Sequence, residues 1–181
     1  PTDSFFIKSH VEEIKKKIID LKNYILIFSA HGLPEKNIKK GDPYQWQVEQ
    51  SVKHIVTNLE IQNLDWTLSY QSRVGALKWI GPSTDDIIIK NSKLWKKVVL
   101  VPIAFVTEHS ETLVELDIEY KELANKNGCV EYIRVPALGT NIDFINSLSS
   151  LVINKDNNKF SENLYPPKNQ CPNQFKKCPC L

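Results

Sequence analysis

The 181-residue sequence contains no methionine, four cysteines and only six glycines. No apolar run approaches the ~20 residues that a membrane-spanning helix needs, so any membrane contact would be peripheral. Acidic and basic residues nearly balance, at a net charge of +2, and the basic ones are scattered, so we expect no nucleic-acid partner. Because the sequence starts at Pro1 and lacks methionine, we expect it to be part of a longer protein or a processed product.

Strand-like and helix-like segments alternate along the chain. Short apolar runs predict strands at residues 24–30, 67–71, 97–104 and 131–135. Apolar residues at helical spacing predict helices at residues 10–21, 44–59, 84–94, 110–124 and 141–153. This alternation favours an α/β fold with a parallel sheet and helices on both faces. From about Asn154 the pattern gives way to Asn, Lys, Ser and Pro, so we predict a lobe at 1–153 and a cysteine-bearing tail at 154–181.

Two of the predicted strands lead into a histidine. The run at 24–30 is followed at once by His31, and the run at 97–104 is followed five residues later by His109. In a parallel sheet both strand ends reach the same edge, where α/β proteins usually bind ligands. We therefore expect both side chains at one edge of the fold. His10 and His54 fall within predicted helices, and their pattern places both on helix surfaces.

A row of glutamates follows His109. Glu111, Glu115 and Glu119 recur every four residues, so a helix would stack them in one row beside the strand end. A second interpretation is open at this point. The helical wheel predicts an apolar face formed by Leu113, Leu116, Tyr120 and Leu123, and it would leave the carboxylates in solvent.

The loop after the second predicted strand carries polar and aromatic side chains. Arg73 with Ser72 would hold a carboxylate, because a guanidinium presents paired donors. Trp79 would lie flat against a planar ligand. An ordinary loop with a half-buried tryptophan explains the same residues equally well.

Three of the four cysteines lie close together, as Cys171-x6-Cys178-x-Cys180. In an intracellular chain, crowded thiols indicate metal ligands more readily than disulfides. Zinc and iron–sulfur sites usually take four protein ligands, so Cys129 or a residue outside this chain would supply the fourth. The alternative is that these cysteines are free thiols.

Several segments of the chain resemble the ferrochelatase family, in order and with family-like spacing over about residues 1–150. They are 28–34 (FSAHGLP), 41–44 (GDPY), 70–75 (YQSRVG), 79–82 (WIGP), 101–105 (VPIAF), 108–113 (EHSETL) and 115–120 (ELDIEY). The chain departs from the family at Ala76, where proline is common, and at Gly32, where serine is frequent. Neither departure removes a functional group.

The resemblance implies a two-lobed protein with a porphyrin cleft between Rossmann-like (chelatase-like) lobes. This chain would be the C-terminal lobe and tail, and inactive without the N-terminal lobe. The implied activity is that of a lyase of heme biosynthesis, which inserts Fe²⁺ into protoporphyrin IX in the cytoplasm, with at most a peripheral contact to the inner membrane. The alternatives are a chelatase acting on coproporphyrin III or another metal, and a non-catalytic metal-binding module.

The resemblance also implies roles for individual residues. His31 would be the active-site histidine and Glu111 its partner, so both would meet the Fe²⁺ substrate, and His109 and Glu115 would continue a polar path on a helix wound with a π-type turn. The porphyrin contacts would be Tyr70, Gln71, Ser72, Arg73 and Trp79. A [2Fe–2S] cluster would be bound by Cys171, Cys178 and Cys180, with a fourth cysteine in the N-terminal half.

Overall fold

A parallel β-sheet forms the centre of the protein in a computed structural model, which describes residues 1–18, 24–156 and 171–176. The strands of this part of the chain are β1 (Tyr24–His31), β2 (Trp66–Gln71), β3 (Lys97–Pro102) and β4 (Tyr132–Arg134). Their spatial order is β2-β1-β3-β4, and all neighbours run parallel. The chain adds β2 on one side of β1 and β3 on the other, so the topological switch point lies between β1 and β3.

Helices connect the strands and cover both faces of the sheet, which confirms the predicted α/β architecture. They are α1 (Ser4–Lys17), α2 (Glu35–Lys39), α3 (Tyr44–Leu59), α4 (Thr84–Ser92), a π-helix (Glu111–Glu119), α5 (Tyr120–Lys126) and α6 (Ile142–Asp156). The bounds of α3 match the predicted segment. The sequence did not predict α2, because five residues are too few to show a helical period.

The core consists of two layers, one on each face of the sheet. Leu26 and Phe28 of β1 pack under α1 and α3, whereas Ile25 and Ile27 pack under α4, the π-helix and α5. All four side chains are almost fully buried, and each contributes about 1.5–3 kcal/mol to folding. The outer helix α6 packs on α1, where Ser147 donates a hydrogen bond to Asp3 at 2.7 Å.

The π-helix corrects the apolar face that the helical wheel predicted. Thr112, Leu116 and Tyr120 are buried, whereas Leu113 is 48% exposed. The i→i+5 bonding of a π-helix gives a wider turn than the 3.6 residues of an α-helix, and this wider turn rotates Leu113 away from the buried row. The π-winding that the resemblance implied is therefore present, and it extends over nine residues.

The structure also corrects the predicted position of His10. Helix α1 begins at Ser4, after the N-cap Asp3, rather than at residue 10. His10 lies on the same helix face as Ile7 and Ile14, and it is only 2% exposed. The shorter predicted helix omitted the turn that contains Ile7, so the buried face was misassigned. His54 is exposed on α3, as predicted.

Candidate active site

The candidate site lies at the carboxyl edge of the sheet, at the switch point between β1 and β3. His31 is the last residue of β1, and the loop after β3 leads into the π-helix, which begins at Glu111. Open α/β sheets bind ligands in the crevice that forms where the strand order reverses. The topology therefore brings these two segments to the usual ligand position of such a fold.

His31 has one ring nitrogen engaged and one directed at Glu111. Its Nδ1 lies 2.7 Å from the carbonyl oxygen of Gly32. Because a carbonyl only accepts hydrogen bonds, Nδ1 carries the hydrogen, and in the neutral ring the lone pair is on Nε2. That Nε2 lies 4.0 Å from Oε2 of Glu111, and the two side chains are 42% and 44% exposed. The pair can therefore accept a proton or hold an ion from the crevice.

His109 stabilises the start of the π-helix. Its Nδ1 accepts a hydrogen bond from the backbone N–H of Glu111 at 3.2 Å, and its backbone N–H donates to the hydroxyl of Thr112 at 2.9 Å. The ring of Phe105 lies between the two histidines, 6.2 Å from His31 and 4.7 Å from His109. His109 thus lies at the same sheet edge, but the structure does not pair it with His31.

Glu115 is surrounded by hydrogen-bond donors from two other segments. Its carboxylate accepts from Nε2 of Gln71 at 3.0 Å, from the N–H and the hydroxyl of Ser72 at 2.9 and 2.6 Å, and from the hydroxyl of Tyr120 at 2.9 Å. Burial, followed by the charges of Glu115 and Asp85, raises the pKa of Tyr120, which therefore keeps its hydrogen. Glu111 and Glu115 thus differ in their surroundings, although the sequence places them in one row.

The predicted porphyrin contacts are divided between the two faces of the sheet. Tyr70 is 1% exposed in the core on the α3 face, where burial and then the charge of Glu49 raise its pKa. Gln71 points to the opposite face, towards Glu115, because successive strand residues alternate. Arg73 is exposed and Trp79 is half-buried beyond the strand end.

The loops after β1 and β2 are joined next to His31. Trp79 forms an antiparallel bridge with Pro34, and the N–H of Glu35 donates to the carbonyl of Lys78 at 2.9 Å. A Cβ added to Gly32 would approach the ring of Trp79 at 3.2 Å and the carbonyl oxygen of Gln71 at 2.8 Å. The glycine thus allows the two loops to approach closely, which places Trp79 next to Gly32, the residue after His31.

An arginine that the sequence analysis did not identify supports the far side of the π-helix. Arg134 of β4 donates to both carboxylate oxygens of Asp117, at 2.6 and 2.5 Å, and to Glu108 at 2.6 Å. Burial opposes the charge of Arg134, but these hydrogen bonds outweigh it and raise the pKa of the guanidinium. The partners lie 17 and 26 residues away in the sequence, so no local pattern could have indicated this network.

The cysteines occupy two separate regions. Cys171 is buried beside Trp46 and Phe175, and Nε2 of Gln47 lies 3.7 Å from its Sγ. Cys129 lies just before β4 and donates to the carbonyl of Glu131 at 3.1 Å, at the amino edge of the sheet. Cys171 contacts Trp46 and Gln47 in the first turn of α3, and this helix begins at the carboxyl edge of the sheet. Cys129 and Cys171 therefore lie at opposite edges of the sheet.

Cys178 and Cys180 are outside the described residues. In the part of the chain that the structure describes, no three His, Cys, Asp or Glu side chains are grouped to hold a metal ion. None of the described helices is long and apolar enough to cross a membrane.

Comparison with known proteins assigns this chain to a family. The sequence model of the ferrochelatase family matches residues 1–156, and the chain belongs to that family. A ferrochelatase of Pelagibacter ubique is 77% identical over 181 residues, covering 100% of this chain and 53% of the relative. Those of Rickettsia canadensis and Rickettsia felis are 51% and 52% identical, covering 99% of this chain and 52% and 53% of each relative. The chain thus spans about half the length of the curated relatives it matches.

Proposed function

We propose that the whole protein containing this chain inserts Fe²⁺ into protoporphyrin IX, and that residues 1–153 form its C-terminal lobe with a tail at 154–181. The pair of His31 and Glu111 is the observation that carries this proposal. A base and a carboxylate lie 4.0 Å apart at the switch point, and both are accessible from the crevice. The missing N-terminal lobe would close the other side of the cleft.

The residue types suit the reaction. Fe²⁺ replaces the two pyrrole N–H hydrogens of the porphyrin, so two protons leave for each ion inserted. Histidine is the side chain that most often accepts protons in catalysis, and the Nε2 lone pair of His31 is available for this role. The 4.0 Å separation is slightly less than the sum of two metal–ligand bonds of about 2.1 Å, so a divalent ion can lie between the two side chains and bind both. The pair can therefore receive the protons, the entering ion, or both in turn.

The neighbouring loop supplies groups that fit a porphyrin. The exposed guanidinium of Arg73 can pair with a propionate carboxylate, and Trp79, next to Gly32, offers an aromatic wall. We do not assign a porphyrin contact to Tyr70, because its side chain lies in the core on the other face. We also propose that the protein is cytoplasmic, with at most a peripheral contact to the inner membrane. The side chains of Val74 and Leu77, 72% and 50% exposed on the same loop, offer an apolar surface for that contact.

For the tail, we propose that Cys171, Cys178 and Cys180 bind a [2Fe–2S] cluster, with the fourth thiolate from the N-terminal half. Thiolates are the usual ligands of such clusters, and hydrogen bonds to their sulfurs adjust the reduction potential. The buried Sγ of Cys171, with the Gln47 amide nearby, fits this role. The distant position of Cys129 disfavours it as the fourth ligand. When bound, the cluster would cross-link the tail to the N-terminal half.

The activity is tested by anaerobic metallation with the full-length protein. We expect Fe²⁺ insertion into protoporphyrin IX, measured by the loss of porphyrin fluorescence, with a higher kcat/KM than for coproporphyrin III. The reverse preference would indicate a coproporphyrin chelatase. If neither porphyrin is metallated while the tail binds metal, the chain is a metal-binding module and the proposal is wrong.

The cluster is tested separately on the same preparation. We expect visible cluster absorbance together with iron and sulfide, and loss of all three in Cys178→Ser. Absence of iron and sulfide from anaerobically purified protein would reject the cluster and leave a zinc site or free thiols.

A further inference from the structure

We propose that Glu115 is a positioning residue, which joins the π-helix to the end of β2. It does not bind the protons or the Fe²⁺ that pass to or from the porphyrin. This inference deepens the proposed function, because it assigns a role within that same site. Four donors occupy the two carboxylate oxygens of Glu115 at 2.6–3.0 Å. An ion or a proton would have to displace at least one of these hydrogen bonds to reach the carboxylate.

The backbone of Ser72 depends on this carboxylate. Ser72 has a φ of +57°, a left-handed conformation that costs energy for a residue with a side chain. Both its N–H and its hydroxyl donate to Glu115. These bonds compensate for the strained conformation, which sets the direction of the chain into the loop that carries Arg73 and Trp79.

Glu115 also orients a buried chain of hydroxyl groups that reaches β1. Because a carboxylate only accepts, Gln71 must present its amide N–H to Glu115 and its oxygen to Ser29, which donates at 2.8 Å. Thr84 then donates to Ser29 at 2.9 Å. The hydroxyl of Ser69 donates to the carbonyl of Phe28 at 3.2 Å and lies 2.9 Å from the hydroxyl of Thr84.

This chain is fully buried, and from Thr84 through Ser29 and Gln71 it points in one direction, towards the carboxylate. Ser29, Ser69, Gln71 and Thr84 are each 0% exposed, and aligned hydrogen bonds in such an environment strengthen one another. Ser29 is two residues before His31 on β1, and Glu115 is four residues after Glu111 on the π-helix. The network therefore connects the two elements that hold the His31–Glu111 pair, and we expect it to maintain their separation.

Two substitutions in the full-length protein distinguish a positioning role from a path. Ser72→Ala removes the 2.6 Å donor but leaves the charge of Glu115, whereas Glu115→Gln keeps the shape and removes the charge. We expect each to lower kcat by about tenfold, as for the loss of a hydrogen bond to a charged group. The KM for Fe²⁺ and the position of the pH–rate profile should stay unchanged. The double variant should lose much less than the product of the two single losses, because both break one network.

Hydrogen exchange tests the same claim without requiring activity. The amide of Ser72 donates to Glu115, so its exchange should be faster by about tenfold or more in Glu115→Gln. Glu119→Gln is the matched control, since it removes an exposed carboxylate from the same helix, and it should leave this amide unchanged.

Two results would overturn the proposal. One is normal turnover in Ser72→Ala combined with a raised KM for Fe²⁺ or a shifted pH profile in Glu115→Gln. The other is unchanged Ser72 exchange in Glu115→Gln. If the parent protein inserts no metal, the proposed function fails, while the exchange measurement still decides the role of Glu115.

Discussion

His31 and His10 each lie beside a phenylalanine ring, yet their surroundings are opposite. His31 is 42% exposed at the end of β1, with its Nε2 lone pair directed at Glu111. His10 is 2% exposed inside the α1 layer, and its ring packs edge-on against Phe6 at a centroid distance of 4.8 Å. The Nε2 of His10 is buried without a hydrogen-bond partner among the described residues.

The difference shows that burial and hydrogen-bond partners decide whether a histidine can act as a proton acceptor or metal ligand. Burial lowers the pKa of His10 to about 4, despite the nearby charge of Glu13. His10 therefore stays neutral at physiological pH and acts as a packed core side chain. A strand end next to a crevice gives His31 solvent, an acceptor for Nδ1–H and a carboxylate partner.

The largest effect should come from His31→Ala. Removing the proton acceptor should lower the rate of Fe²⁺ insertion by about a hundredfold to ten-thousandfold. Porphyrin binding should remain nearly normal, because the cavity walls are intact. Metallation rate and fluorescence quenching on one preparation would separate these effects, with His54→Ala as the control. Near-normal metallation by His31→Ala would show that His31 is not the proton acceptor, and the functional difference between His31 and His10 would be lost.

His10 should instead affect how the free energy of unfolding depends on pH. Above pH 6.5 the ring is neutral in both the folded and the unfolded state, so it contributes no pH dependence. Between pH 6.5 and about 4 only the unfolded state gains the proton, so stability falls with decreasing pH, by about 3 kcal/mol in total.

The variant His10→Leu should remove this part of the pH dependence and leave the rest. Denaturant unfolding of the full-length protein at several pH values would measure the difference from the parent, with His54→Leu as the matched exposed control. If His10→Leu and the parent protein lose the same amount of stability as the pH falls, His10 is not a buried, neutral side chain.

Glu111→Gln should lower turnover by about a hundredfold, towards the lower end of acid–base effects, because it removes the carboxylate that faces His31. Glu119→Gln should change turnover by less than about twofold, as for a surface substitution away from the site. Steady-state kinetics of both variants would compare two carboxylates of one helix. Equal losses would indicate that the row acts through its general negative charge.

The sequence predicted the fold better than the details of the site. The apolar run that ends at His31 and the helical period of residues 44–59 are local patterns, and both elements formed where they were predicted. The apolar face with Leu113 was wrong, because the wheel assumed 3.6 residues per turn. Glu111 and Glu115 were indistinguishable in sequence, since three of the four donors to Glu115, from Gln71 and Ser72, lie more than 40 residues away. Long-range hydrogen bonds leave no local pattern, and Arg134 was missed for the same reason.

The most direct test of the His31–Glu111 site is to locate a bound divalent ion in crystals of the full-length protein. After anaerobic soaking with Fe²⁺, anomalous scattering should reveal an ion between Nε2 of His31 and an oxygen of Glu111, at about 2.1 Å from each. The four donors to Glu115 should stay in place. An ion bound at Glu115 and Glu119, with none beside His31, would contradict both the proposed site and the positioning role of Glu115.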